Sequence, residues 1–249
     1  MNIKVSIVTV TYNCENEIEN TIKSVVSQTY DNIEYIVIDG NSKDKTLSII
    51  ERYKQQISVC VSEPDKGIFD AMNKAIDLAT GKWILFMNAG DSFVENTVIE
   101  QVFKNKVYEE NVGVIYGDAY FVKGDSKKVF KSKPFYLEKT KYRGMGICHQ
   151  SIFCRTDLAK SIKFDLKYKY AADYNMIMQI YKKGYDFFNL NTPIANYDLT
   201  GFSTNNCISQ FKEVASICNV SNKSITYFIQ YNIVLKRKLK TLIKKILNR

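Results

Sequence analysis

Four short polar clusters in this chain each follow a run of apolar residues, and their residue types suit the handling of phosphate and a hard cation. The clearest is Asn88-Ala89-Gly90-Asp91, directly after Trp83-Ile84-Leu85-Phe86-Met87. A continuous apolar run closed by small polar residues reads as a strand buried on both faces. In open α/β sheets, ligands collect at the carboxyl ends of such strands. A carboxylate there suits a hard divalent cation, and the cation suits phosphate oxygens. Thr11 with Asn13, Asp39 with Asn41, and Glu63 with Asp65 close three further apolar segments in the same way. Taken singly, Asp and Asn at such places are turn formers or helix caps. Four coincident strand ends would instead make one acidic pocket.

The elements that position these groups follow from hydrophobic periodicity. Residues 5–10, 35–38, 57–61 and 82–87 read as strands, and 15–28, 46–55 and 68–79 as helices between them. Gly81 stands where a glycine commonly ends a helix. Strand–helix alternation implies parallel pairing with right-handed crossovers, an α/β architecture. Beyond residue 95 the pattern loosens. A helix is expected over 98–103, and one bent strand or a strand pair over 113–122, interrupted at Gly117-Asp118. A polar hairpin-like region follows at 123–133, then a short strand at 151–153 and helices over 172–183 and 208–217. No internal repeat divides the chain. The reading is one domain over residues 1–220, with a nucleotide-binding half (1–92) and a half that completes the cleft (93–220), followed by a separate segment, 221–249.

Composition narrows the class. With 249 residues, 45% hydrophobic and 24% charged, the chain can bury a core. The apolar start is too short for a signal peptide, and no run reaches transmembrane length. Six cysteines lack paired metal-ligand spacing, and a single histidine argues against a zinc site; the cysteines read as reduced thiols of a cytoplasmic protein. The net charge is +9, yet no Asp or Glu follows Glu213, and eight Lys and Arg do. The body is therefore close to neutral, which excludes nucleic acid as a partner of the fold itself. Over 227–247, Phe228, Tyr231, Leu235, Leu239, Leu242, Ile243 and Ile246 recur at helical spacing with cations between them. Such a basic amphipathic helix matches an anionic membrane surface. The alternative is a helix packed on the body with a solvated basic face.

In their order, Val5-Ser6-Ile7-Val8-Thr9-Val10-Thr11-Tyr12-Asn13, Val37-Ile38-Asp39-Gly40-Asn41-Ser42 and Asn88-Ala89-Gly90-Asp91 resemble the family 2 glycosyltransferases of GT-A fold, over roughly residues 3–205. The segment Glu63-Pro64-Asp65-Lys66-Gly67-Ile68-Phe69-Asp70-Ala71-Met72-Asn73 is similar to a bacterial subgroup that builds surface polysaccharides. The resemblance implies a Rossmann-like α/β fold and an inverting transfer of sugar from a nucleotide-diphosphate donor, a UDP-sugar, to a hydroxyl acceptor that is lipid-linked or an oligosaccharide. It implies work at the inner face of the cell membrane, with Mg²⁺ or Mn²⁺ as cofactor.

Residue by residue, the resemblance places Thr11, Tyr12 and Asn13 near the donor base, has Asp39 contact that base, and has Asp65 and Lys66 close over the nucleotide. Asn88-Ala89-Gly90-Asp91 falls at the metal motif, where the family has more aspartates. Asn and Gly replace two of them, leaving Asp91 and Asn88 as the metal residues. One or two carboxylates with substrate phosphates suffice for such cations. Asp173 matches the catalytic base, which takes a proton from the attacking hydroxyl; its place at a helix start also suits a cap. Asn88, Asp118, His149 and Gln150 are expected to contact donor sugar or acceptor, and Gly201-Phe202-Ser203-Thr204 the diphosphate. Two other readings compete. A sugar nucleotidyltransferase would need a glycine- and basic-rich loop after the first strand, which Thr11-Tyr12-Asn13-Cys14-Glu15 is not. A catalytically impaired, nucleotide-sugar-binding subunit of a glycan assembly complex is suggested by the altered metal motif.

Overall fold

The computed structural model describes residues 2–135, 145–199 and 206–247, without the side chains of 225, 226, 237, 240 and 241–247. In the first half, strands β1 (Val5–Thr11), β2 (Ile33–Asp39), β3 (Val59–Ser62) and β4 (Trp83–Phe86) alternate with helices α1 (Ile18–Val26), α2 (Thr46–Glu51) and α3 (Ile68–Leu78). The four strands are parallel, in the order β3-β2-β1-β4. Most of this part of the sheet is covered on both faces, which is why its sequence runs are apolar without alternation. Val8, Val10, Ile36, Ile38, Ile84 and Phe86 pack with α3 residues Met72 and Ile76. Val5, Ile7, Tyr35, Val37, Trp83 and Leu85 pack on the other face with Ile18 and Ile22 of α1.

Register then fixes the site. Thr11 pairs with Asp39, and Asp39 with Ser62. Beyond β4, the Ala89 N–H still donates to the Val10 carbonyl. The polar strand ends therefore lie along one edge.

The second half completes the sheet with mixed pairing. Strand β5 (Ser92–Phe93) and helix α4 (Val98–Phe103) lead into β6 (Val112–Lys123), a single long strand. Strand β7 (Ser126–Phe130) returns antiparallel to the end of β6, forming the hairpin expected there. Strand β8 (Ile152–Arg155) lies between β4 and β6, antiparallel to both. Helices α5 (Thr156–Ile162) and α6 (Ala172–Lys182) precede β9 (Asp186–Asp198), which runs parallel to β6 and pairs with β5 at its end. Helices α7 (Cys207–Ile217) and α8 (Ile225–Leu247) follow.

Three features differ from expectation. Strand β9 is a 13-residue element that periodicity did not show, because few of its residues are deeply buried and Pro193 interrupts it. The register slips at that point, from Tyr116 opposite Asn189 to Asp118 opposite Pro193. Gly117 sits in the slip because a Cβ there would fall 2.4 Å from the Thr192 carbonyl oxygen, so it marks a bulge and not a break. Gly81 is no helix cap. Helix α3 ends at Leu78 with Ala79 already extended, and Gly81 is required because its Cβ would lie 2.6 Å from the Ser6 nitrogen.

That close approach belongs to a polar clasp at the opposite edge of the sheet. The Glu34 carboxylate, 6% exposed, accepts bonds from Ser6 Oγ (2.6 Å), the Thr80 N–H (2.7 Å) and hydroxyl (2.5 Å), and Lys4 Nζ (2.9 Å). Burial alone would raise its pKa, but these bonds outweigh it and hold the group at about 2, against an ordinary 4.5. A depressed carboxyl contributes stability that is complete above its unfolded pKa and lost as the pH falls through the folded one. Glu34→Gln should therefore cost about 2–3 kcal/mol at pH 7. In urea denaturation, its gap to the wild type should narrow as the pH falls from 4.5 towards 2; a gap independent of pH would refute the clasp.

Candidate active site

The loops after β1 and β2 are laced together. Asn13 and Asn41 adopt left-handed backbone, φ 50° and 66°, which Asn tolerates. The Asn13 N–H donates to Ser42 Oγ and its Oδ1 accepts from the Lys43 N–H, both at 2.8 Å. Cys14 N–H donates to Thr46 Oγ1, and Glu15 N–H to Asp44. Asp39 is fully buried. Its carboxylate accepts from the Ser42 N–H and hydroxyl and from Ser62 Oγ. The structure thus places Asn13 and Asp39 under the loops, with polar atoms engaged in holding them.

Above them lies a recess of another composition. Gly40 has no side chain, and a Cβ there would meet Asp65 Oδ2 at 2.6 Å and the Tyr12 ring at 3.2 Å. Asp65 Oδ1 is fixed by the Gly67 N–H at 2.8 Å, in a turn made possible by Gly67 at φ 120°. The other oxygen faces the space over Gly40. Tyr12 is 59% exposed, a ring left open at a strand end. Lys66 is exposed beside it. An aromatic face and a carboxylate acceptor over a glycine floor form a seat for a flat base bearing N–H donors.

The acids of the cleft are gathered by one 3₁₀ turn, His149–Ser151. His149 Nδ1 lies 4.0 Å from Asp173 Oδ2. The Gln150 side chain hydrogen-bonds the Asp91 carboxylate. Ser151 Oγ donates to the Asp118 carbonyl at 2.9 Å. His149 packs between Phe86 and Phe164, ring centroids 5.6 and 6.0 Å away. Burial lowers its pKa, only partly offset by Asp173, so the imidazole is neutral at pH 7. Asp173 is the second residue of α6, whose N-cap is Ala171, and its side chain keeps 20% exposure. The Asp118 carboxylate is bound to Lys131 Nζ (2.6 Å) and the Ser132 N–H (2.9 Å). It anchors the exit of the β6–β7 hairpin.

Asp91 is 5% exposed, and its Oδ1 accepts from the Asp198 N–H at 2.9 Å. Burial, together with the neighbouring Asp198 charge, pushes its pKa up to about 7. The turn that carries it hangs on Thr21 of α1: Gly90 N–H donates to Thr21 Oγ1, which donates to the Asp91 carbonyl. Asp198 is the functional candidate that sequence reasoning missed. It ends β9, half-buried, its Oδ2 3.7 Å from where a Gly90 Cβ would lie. The signal available was a single acid closing a strand that periodicity did not reveal.

No three His, Cys, Asp or Glu side chains among the described residues converge as a metal cage. What is present is a smaller hard-oxygen set. Asn88 Oδ1 is buried without a hydrogen-bond partner, as is Thr11 Oγ1 on the neighbouring strand end, and Asp91 and Asp198 flank the same turn. Two acids and an amide oxygen fit a Mg²⁺ or Mn²⁺ whose shell is completed by substrate phosphates. The 201–204 loop lies outside the described residues.

This arrangement, four parallel strands whose polar ends face a cleft closed by a mixed second half, defines the GT-A fold of nucleotide-sugar transferases. Solved structures share it. Staphylococcus aureus TarS 1-349 in complex with UDP-GlcNAc aligns over 95% of this chain and 72% of its own, with TM-score 0.69 and 20% identity. Another structure of S. aureus TarS is covered to 43%. A Pyrobaculum calidifontis mannosyltransferase in complex with GDP-Man and Mn²⁺ aligns over 96% of this chain and 76% of its own, with TM-score 0.65 and 14% identity. The model for glycosyl transferase family 2 matches residues 6–170, and the chain belongs to that family. Among relatives, a "PGL/p-HBAD biosynthesis glycosyltransferase" of Mycobacterium bovis is 31% identical over 174 residues, 68% of this chain and 66%, just under two thirds, of the relative. The Escherichia coli "UDP-Glc:alpha-D-GlcNAc-diphosphoundecaprenol beta-1,3-glucosyltransferase WfaP" is 32% identical over 221 residues, 87% of this chain and 84% of the relative.

Filling the recess tests it. Gly40→Ala should displace the Asp65 carboxylate and weaken nucleoside-diphosphate binding at least fivefold by calorimetry, about 1 kcal/mol. Thermal stability should hardly change, because the clash is with a side chain near the surface. Unchanged affinity for every nucleoside diphosphate would remove this recess from the candidate nucleotide site.

Proposed function

We propose that this protein is an inverting glycosyltransferase. It moves a sugar from a UDP-sugar to a hydroxyl of a lipid-diphosphate-linked glycan in surface-polysaccharide assembly, at the cytoplasmic membrane face. The observation that carries the reading is the 149–151 turn, which joins Asp173 on the acceptor side to Asp91 at the expected diphosphate end. In a single displacement, the acceptor oxygen bonds to the anomeric carbon as the bond from that carbon to the diphosphate oxygen breaks. Asp173 takes the hydroxyl proton, and the electron pair leaves on the nucleoside diphosphate. Neutral His149 beside Asp173 does not compete for its charge. Asn88, Asp198 and Asp91 would hold the cation, which supplies charge neutralisation of the leaving diphosphate. Support for UDP and for a lipid-diphosphate acceptor comes from TarS, solved with UDP-GlcNAc, and from the activity for which WfaP is named.

We assign residues 1–220 to catalysis and the C-terminal helix to membrane contact. No helix among the described residues is long and apolar enough to cross a membrane. Helix α8 touches α7 through Tyr227 and Tyr231, which lie 5.1 and 6.2 Å from Phe211. Phe228, Ile229 and Leu239 remain 50% or more exposed. An uncovered apolar stripe among cations, with no acid, matches an anionic lipid surface. A second reading, the impaired donor-binding subunit, is favoured by Asn88 and Gly90 in the metal motif.

Calorimetry with UDP, GDP, CDP and dTDP, each with and without Mn²⁺, should show UDP tightest and its affinity falling on chelation. Asp173→Asn should retain UDP affinity and lower kcat at least 10²-fold; no turnover in the wild type with any acceptor would favour the impaired subunit. Lys236→Glu with Lys238→Glu should reduce partition onto phosphatidylglycerol vesicles at least tenfold, and unchanged partition would refute the membrane assignment.

A further inference from the structure

Glu213 on α7 is the last acidic residue of the chain, and it lies beyond the part that matches the family model. Its carboxylate accepts three consecutive backbone N–H groups: Oε1 from Lys169 at 2.9 Å, and Oε2 from Tyr170 at 2.8 Å and Ala171 at 2.9 Å. Successive N–H groups converging on one anion form a concave seat, the positive end of α6 adds to it, and bonds to a charged acceptor are the stronger kind. Ala171 is the N-cap of α6 and makes no side-chain capping bond of its own. The entry to α6 is therefore fixed by a side chain 42 residues away. Helix α7 is itself held: Phe211 is buried against Tyr227 and Tyr231, and Tyr174 Oη lies 3.1 Å from Cys218 Sγ just past its end.

We propose that Glu213 is a positioning residue for Asp173. It locks the 169–171 turn, and with it the first turn of α6, where Asp173 stands two residues past the last N–H that Glu213 holds. This rests on the reading of Asp173 as the base. The consequence is specific. Among the described residues the hydrogen bonds of Glu213 all go to 169–171 and none to the loops after β1, β2 and β3 that would hold the nucleotide, so its loss changes turnover and not donor affinity. A misplacement of about 1 Å in a reacting group costs about 10²-fold in rate.

The experiment compares Glu213→Ala, Glu213→Gln and Asp173→Asn, with UDP-glucose as donor and an N-acetylglucosaminyl-diphospho-lipid as acceptor. UDP affinity is measured in parallel. Glu213→Ala should lower kcat by 30- to 100-fold, and Glu213→Gln, which keeps one acceptor oxygen, by less. Both should hold the UDP-glucose KM and UDP affinity within twofold of wild type. Hydrogen exchange reads the geometry without turnover: at least one of the amides of 169, 170 and 171 should exchange at least tenfold faster in Glu213→Gln, which keeps one acceptor oxygen and serves alone if Glu213→Ala does not fold. Unchanged exchange, or a wild-type kcat in the Glu213 variants while Asp173→Asn is inactive, would overturn the proposal. A wild-type kcat in Asp173→Asn would instead remove the base assignment on which it rests.

Discussion

Burial of the parallel strands on both faces is the constraint on which the rest depends. A strand covered on each side carries an unpaired polar group only at a cost; apart from the Trp83 indole N–H, the hydroxyls and the carboxylate along these strands, short of their ends, are engaged. Thr9 Oγ1 donates to the Met87 carbonyl at 2.8 Å and lies 3.0 Å from Tyr35 Oη. Ser6 and Glu34 hold each other in the clasp with Thr80. Chemistry is thereby displaced to strand ends, and parallel pairing puts the carboxyl ends on one edge. The unpartnered oxygens of Thr11 and Asn88 lie on that edge, beside acids whose other contacts are already made. Polar atoms buried without partners are uncommon in a native fold and mark a place where something else belongs.

The second half turns that edge into a cleft. Antiparallel β8, inserted between β4 and β6, starts directly after the 149–151 turn. Three consecutive side chains there address three different elements: His149 the start of α6, Gln150 the turn after β4, and Ser151 the backbone of β6. The groups assigned to proton removal and to the leaving diphosphate thus lie against one short segment, which hydrogen-bonds Asp91 through Gln150 and approaches Asp173 to 4.0 Å through His149. Pre-organisation of this kind lets a displacement proceed without reorganising the protein around it. Asp198, arriving from β9, adds a second carboxylate that shifts Asp91 towards neutrality. That mutual repulsion is what a bound cation would relieve.

The charge of the chain is partitioned along the same lines. The body balances its acids and bases around the cleft, while the excess of cations sits on α8 with its uncovered apolar residues. Helix α7 lies between the two. It carries Phe211, against which α8 rests, and Glu213, which holds the entry to α6.

Much of this was legible in the sequence. Two-sided burial wrote β1, β2 and β4 as continuous apolar runs, turn residues marked their ends, and helical spacing marked α3, α6 and α8. These patterns are local, and so is the physics that sets them: side-chain transfer from water and backbone preference. Family motifs pointed to Asp173 and Asp91, the residues proposed here as base and metal ligand, because a family's pattern is written in residue type at a strand end or a helix start. What the sequence did not contain was who meets whom across the fold. Pairing of β9 with β6 depends on a bulge at Gly117, whose need for glycine comes from a carbonyl 75 residues on. Asp39 ends its strand in sequence as a lone acid, but which groups meet it, Ser42 and Ser62, and which acid lies over Gly40, Asp65, follow only from the fold. Asp198 beside Asp91, and Glu213 under the start of α6, are likewise contacts between distant segments. No periodicity encodes such contacts, because they arise only when the sheet closes and distant backbones approach. Local residue preferences thus determined the elements and the types of polar group at their ends, and tertiary packing alone decided which of those groups meet.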